Sequence, residues 1–77
     1  ELAPLKKRIK AAEDAIARLQ KEIAKLETEL ADPTLFQRDA AKGARLSKAL
    51  SDAQKTLAAT EDEWLTLSSE YEEAMAG

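Results

Sequence analysis

Residues 31–43, ADPTLFQRDAAKG, decide how this chain folds. On either side of them apolar residues recur at heptad spacing, and within them that spacing stops. Asp32 followed by Pro33 is a cap-and-first-turn signal. It also ends the preceding helix, because the residue before a proline is pushed out of helical geometry. Asp39 ahead of AAKGARL reads as a second cap. The expectation is a first helix ending near Ala31, one short turn carrying Leu35 and Phe36, and a second helix from about Ala40. Leu35 and Phe36 are placed to plug the end of the seam.

Toward the N-terminus the seam is Leu2, Leu5, Ile9, Ala12, Ile16, Leu19, Ile23, Leu26 and Leu30, in alternating steps of three and four. That alternation is the signature of a left-handed coiled coil. Pro4 suits a first turn, where its missing N–H costs nothing. Beyond the interruption the pattern resumes with Leu46, Leu50, Ala53, Leu57, Thr60, Trp64, Leu67, Tyr71 and Ala74. A helix over residues 4–31 is ~42 Å long at ~1.5 Å per residue.

A short connection between two long helices favours antiparallel neighbours. In that arrangement residue numbers that pair across the seam have a constant sum, and 76 satisfies every layer. Leu30 then meets Leu46, Leu26 meets Leu50, Ile23 meets Ala53, and Leu19 meets Leu57. Ile16 meets Thr60, Ala12 meets Trp64, Ile9 meets Leu67, and Leu5 meets Tyr71. A shift of one heptad would bury Asp39 or Gln37 without a partner, which is costly. The fold expected is all-α: a monomeric, antiparallel two-helix coiled-coil hairpin with a short helical turn at the tip. It is a single domain over 1–77, with helix 1 at about 4–31, the tip at 32–39 and helix 2 at about 40–75.

Composition agrees. The chain is 44% hydrophobic and 35% charged, with two glycines and two prolines, a profile of long helices and not of a sheet or a disordered tail. It begins at Glu1 instead of a methionine and so reads as a fragment of a larger protein. The absence of cysteine excludes disulfides and thiolate metal sites. No apolar run approaches 18 residues, so no membrane span is expected.

The heptads also sort the charges. Beside the seam, Arg8 faces Glu70 in an expected interhelical pair, while Glu13 faces and repels Glu61. Asp14 and Arg18 are spaced for an i,i+4 pair. Outward positions of helix 1 carry Lys7, Lys10, Arg18, Lys21 and Lys25. The positive sign continues past the tip with Arg38, Lys42, Arg45, Lys48 and Lys55, interrupted by Asp39 and Asp52. Acids gather near the C-terminus, at Glu61, Asp62, Glu63, Glu70, Glu72 and Glu73. Of these cations the nine other than Lys55 are the candidate nucleic-acid-binding residues. The competing reading is a solvated face, and the net charge of −3 favours it.

No catalytic constellation is legible. There is no histidine, neither glycine lies in a phosphate-cradling loop, and Ser68 and Ser69 lack a base. Adjacent acids such as Glu72 and Glu73 point apart on a helix. Trp64 and Tyr71 fall on the seam and so belong to the core. An enzyme is not expected of this chain.

A longer motif is more specific. LETELADPTLFQRDAAKGARLSKALSDAQKTLAATEDEWLTLSSEYE (residues 26–72) resembles the C-terminal domain of ABC-F ATPases, of the Uup-like branch. The likeness lies in a heptad helix ending in LADPTLF, the Arg38–Asp39 pair opening the second helix, and EDEWLTL near its end. Gly43 departs from the family pattern, which has a large apolar residue after AAK. The resemblance implies a cytoplasmic parent with two ATP-binding cassettes, using ATP and magnesium, around ribosomes or nucleic acid. It implies that this hairpin contacts DNA or ribosomal RNA, or else docks on or regulates the ATPase body. No nucleotide-binding residue is carried over. The tRNA-binding arm of valyl-tRNA synthetases, also a basic hairpin, is a second resemblance that fits EDEWLTL less well.

Overall fold

The computed structural model describes residues 2–76 and contains three helices: α1 (Ala3–Leu30), α2 (Leu35–Arg38) and α3 (Ala40–Ala76). Helices α1 and α3 lie antiparallel against each other, and α2 packs on α3 at the tip. The result is a rod of 59 × 15 × 14 Å, the coiled-coil hairpin that the heptads require.

Two contacts report the register. The Trp64 indole Nε1 donates to Glu13 Oε2 at 3.1 Å, and Lys6 Nζ stands 5.8 Å from the centre of the Tyr71 ring. Both place α1 and α3 at the level given by pairing Ala12 with Trp64 and Leu5 with Tyr71. Ala12, Leu26, Ala53 and Leu67 are buried, and all four are seam residues. Of the other seam residues Ala74 is exposed and the rest are only half-buried. This follows from the architecture, since two helices cover each knob from one side and leave its flank to solvent.

Helix α1 starts without a side-chain cap: Leu2 is the residue before it, and Pro4 lies within its first two positions. Its last turn tightens. Ala31 N–H donates to Glu27 O at 3.0 Å and Thr28 O at 3.3 Å, and Asp32 N–H reaches Glu29 O at 3.4 Å. Pro33 then blocks continuation.

The tip differs from expectation at Asp32. This residue does not cap a helix; it closes an Asx turn, three residues before α2 begins. Its Oδ1 accepts the Thr34 backbone N–H at 2.9 Å and the Thr34 hydroxyl at 2.8 Å. The Asp32 carbonyl also accepts the Leu35 N–H at 3.2 Å. Asp39 does cap: it is extended (φ −155°, ψ 82°), and its Oδ1 accepts the Lys42 N–H at 3.0 Å, so α3 begins immediately after it.

Leu35 and Phe36 part ways as well. Leu35 is 3% exposed and closes the seam, whereas Phe36 is 51% exposed. Its ring lies across Gly43, which is buried one heptad before Leu50. A Cβ at residue 43 would meet Phe36 Cε1, Cδ1 and Cζ at 2.6, 2.7 and 2.9 Å, closer than real side chains approach. Gly43 is therefore the floor on which the aromatic ring rests, and a large apolar residue there would evict it.

Candidate nucleic-acid interface

The heptad frame gives the rod two broad sides. Residues beside the seam pair like with like across antiparallel helices, so each side carries one flank from both helices. Thr28, Glu29, Lys42 and Leu46 share a hollow near the tip on one side, together with Asp32, Leu35 and Arg38. Glu13, Gln20 and Glu61 share a hollow on the other.

All nine candidate cations are exposed. The antiparallel fold brings seven of them together around the tip half: Arg18, Lys21 and Lys25 on α1, Arg38 on α2, and Lys42, Arg45 and Lys48 on α3. Lys7 and Lys10 are not brought to that group. They stand roughly 27 and 22 Å from Lys25 along α1, at ~1.5 Å per residue, level with the acid-rich end of α3. Lys55, outside the nine candidates, is exposed on α3 about level with Lys21. It belongs to the run of positive charge read from the sequence.

Three of the nine are engaged with acids. Lys10 Nζ is 3.0 Å from Asp14 Oδ1, and Lys48 Nζ is 3.1 Å from Asp52 Oδ2. Both are exposed i,i+4 pairs, worth ~0.3–0.5 kcal/mol at most. Arg38 is held differently. Its Nη2 donates to Asp32 Oδ2 and its Nε to Thr34 Oγ1 at 3.0 Å, which clasps the Asx turn to α2. The Thr34 backbone N–H, the Thr34 hydroxyl and then Arg38 hold the Asp32 carboxyl below its ordinary range.

Several expected pairings are replaced. Asp14 takes Lys10 in place of Arg18. Arg8 and Glu70 form no ion pair among the described residues, because both are long, exposed side chains better solvated apart. Glu13 is more than a repelling neighbour of Glu61, since it accepts the Trp64 N–H. That bond draws the indole to the edge of the seam, where Trp64 is half-buried.

Charge is divided along the axis. Of 12 cations and 15 acids, eight and six fall in residues 18–55, so the tip half is net positive and the base carries four against nine. With a rod of 59 Å and a screening length of ~8 Å at physiological salt, the base does not cancel the tip. The outward positions are more one-sided still. Across the tip half they hold Arg18, Lys21, Lys25, Arg45, Lys48 and Lys55 against Asp52 alone, and Asp52 is already paired with Lys48.

Among the described residues no cradle for a phosphate or a magnesium ion is formed. Gly43 lies within α3 beneath an aromatic ring, not in a loop that cradles phosphate. Among the described residues no three acids converge on a point that would hold a metal ion. No described helix is long and apolar enough to cross a membrane.

A two-helix hairpin with a net positive tip half is the class of element these residues define. Comparison with known families gives its kind: residues 4–69 match the family described as the ABC transporter C-terminal domain, and the chain belongs to that family. The match upholds the resemblance to the C-terminal domain of an ABC-F type ATPase, and the synthetase arm is set aside. Comparison with curated proteins and with solved structures gave no match.

Proposed function

We propose that this hairpin is the C-terminal arm of a cytoplasmic ABC-F ATPase and contacts nucleic acid, DNA or ribosomal RNA, through its basic tip half. The parent's cassettes bind ATP and magnesium in this reading; the arm supplies no catalytic group. One observation carries the proposal: outward positions of the tip half hold six cations against one acid, and that acid is already paired. Lysines and arginines on a smooth helical surface meet phosphates and carry no base-reading geometry, so the contact has little sequence preference. Arg38 is the exception among the candidates. Its guanidinium first holds the tip together, and it meets phosphate only through its outward edge.

The test is a salt titration of binding to duplex DNA and to ribosomes. Binding weakens with salt, with a log–log slope near 0.9 for each duplex phosphate neutralised. Reversing Lys21, Lys25, Arg45 and Lys48 to Glu abolishes it while helix content and melting stay nearly constant. Reversing Glu72 and Glu73 leaves it intact or slightly stronger. Salt-insensitive binding, no binding, or basic reversals without effect would refute the proposal. The arm would then be a spacer or a dock for the ATPase body.

A further inference from the structure

The side of the rod opposite Arg18, Lys25 and Arg45 has a different chemistry. Along α1 it presents Glu13, Ala17, Gln20, Ala24, Glu27 and Ala31. Along α3 it presents Ala44, Ser47, Ser51, Gln54, Ala58, Glu61 and Leu65. Across that span there is no cation. In its middle is a groove of about 520 Å³, floored by Ile16, Ala17, Trp64 and Leu65 and rimmed by Glu13, Gln20 and Glu61. Leu65 is 56% exposed. The Glu13 carboxylate fixes the indole edge at the rim, so the groove is built and does not depend on a side chain swinging open.

We infer that this groove docks a basic amphipathic helix of a partner protein, one whose apolar stripe is flanked by Arg or Lys. Two antiparallel helices form a trough whose natural filler is a third helix, with side chains at i, i+3 and i+4 packing against the seam's open flank. The apolar floor supplies the driving force. The two rim carboxylates select the sign of the visitor: among the described residues neither forms an ion pair, and no lysine or arginine lines this groove, Lys6 and Lys10 lining the next hollow toward the base. A second copy of this chain is a poor occupant, because it would bring another Glu13 and Glu61 to the same rim. The groove is centred on Ile16, roughly 20 Å along α1 from Ala3 at ~1.5 Å per residue. It thus opens on the side of the rod, away from the end formed by Ala3 and Ala76.

Trp64 is the sole tryptophan, so its fluorescence reads this groove directly. The probe is an 18-residue helical peptide with leucines at i, i+3, i+4 and i+7 and arginines on the flanks. Titrating it into the chain blue-shifts the Trp64 emission saturably. A peptide of the same composition with scrambled leucine positions, and an amphipathic peptide with Glu flanks, each bind at least tenfold more weakly. Leu65→Glu, at an exposed position, keeps the melting curve and loses binding at least tenfold. Reversing Lys21, Lys25, Arg45 and Lys48 to Glu leaves peptide binding intact, which separates this site from the nucleic-acid surface. Equal binding of the scrambled peptide, an unaffected Leu65→Glu variant, or no shift would overturn the inference. So would a concentration-dependent shift without peptide accompanied by dimers in sedimentation, which would assign the groove to a second copy.

Discussion

Removing the space above Gly43 tests the tip at its tightest point. In an isolated helix Gly→Ala stabilises by ~1 kcal/mol, through backbone entropy. Here the new Cβ would lie 2.6–2.9 Å from three carbons of the Phe36 ring, so the ring must leave. A phenylalanine buries ~200 Å² when fully covered, and Phe36 is about half-covered. If the face against Gly43 is half of what it buries, ~50 Å² is lost, costing ~1.3 kcal/mol at ~25 cal/mol per Å². Gain and loss nearly cancel, so Gly43→Ala alone changes stability by only a few tenths of a kcal/mol. With Phe36→Ala in place the collision is gone and Gly43→Ala stabilises by ~1 kcal/mol. The coupling between the two sites is therefore ~1.3 kcal/mol, well above the few tenths expected of independent positions. Urea melts of the four proteins, followed by helix circular dichroism, measure it. Equal stabilisation by Gly43→Ala in both backgrounds would show that the ring does not rest on this glycine.

Two further outcomes follow from the packing and the tip clasp. Ala12 is buried at the level of Trp64, so Ala12→Leu overpacks that layer and destabilises by ~1–3 kcal/mol; unchanged melting would mean the layer is open. The Asp32 carboxyl has a lowered pKa, so its contribution to tip stability is complete above the ordinary aspartate value and is lost as pH falls through the depressed one. Amide protection at Thr34 and Asp39 therefore holds from pH 7 to 5 and is lost only in strong acid. An Asp32 carboxyl resonance titrating at or above the usual aspartate value refutes the clasp.

The long-range form of the molecule was legible because heptad spacing is a property of single helices, and the antiparallel register followed from matching two such lists. The cap at Asp39 was legible because the donor its carboxylate accepts from is the backbone N–H three residues on. Asp32 misled because Asp-Pro opens an Asx turn as readily as a helix, and the choice rests on Thr34 and Arg38 closing around it. The seating of Phe36 on Gly43 depends on where α2 lands against α3, which no local pattern encodes. The exposure of the candidate cations was legible from outward heptad positions. That Arg38 is committed to Asp32 and Thr34 was not, because both partners lie in irregular backbone. The groove at Leu65 was hidden by Trp64, whose seam position suggested a core residue and gave no sign of the Glu13 bond that draws it outward.

Because the two long helices run in opposite directions, their backbone dipoles largely cancel, and the side chains alone set the electric moment of the rod. With positive charge in excess around residues 18–55 and negative charge in excess at the other end, that moment lies along the 59 Å axis. A polyanion therefore exerts a torque on the free hairpin before it touches it, turning the Phe36 end forward and the Glu72 end away. That torque acts within a screening length, ~8 Å at physiological salt, and it acts even though the molecule as a whole is net negative.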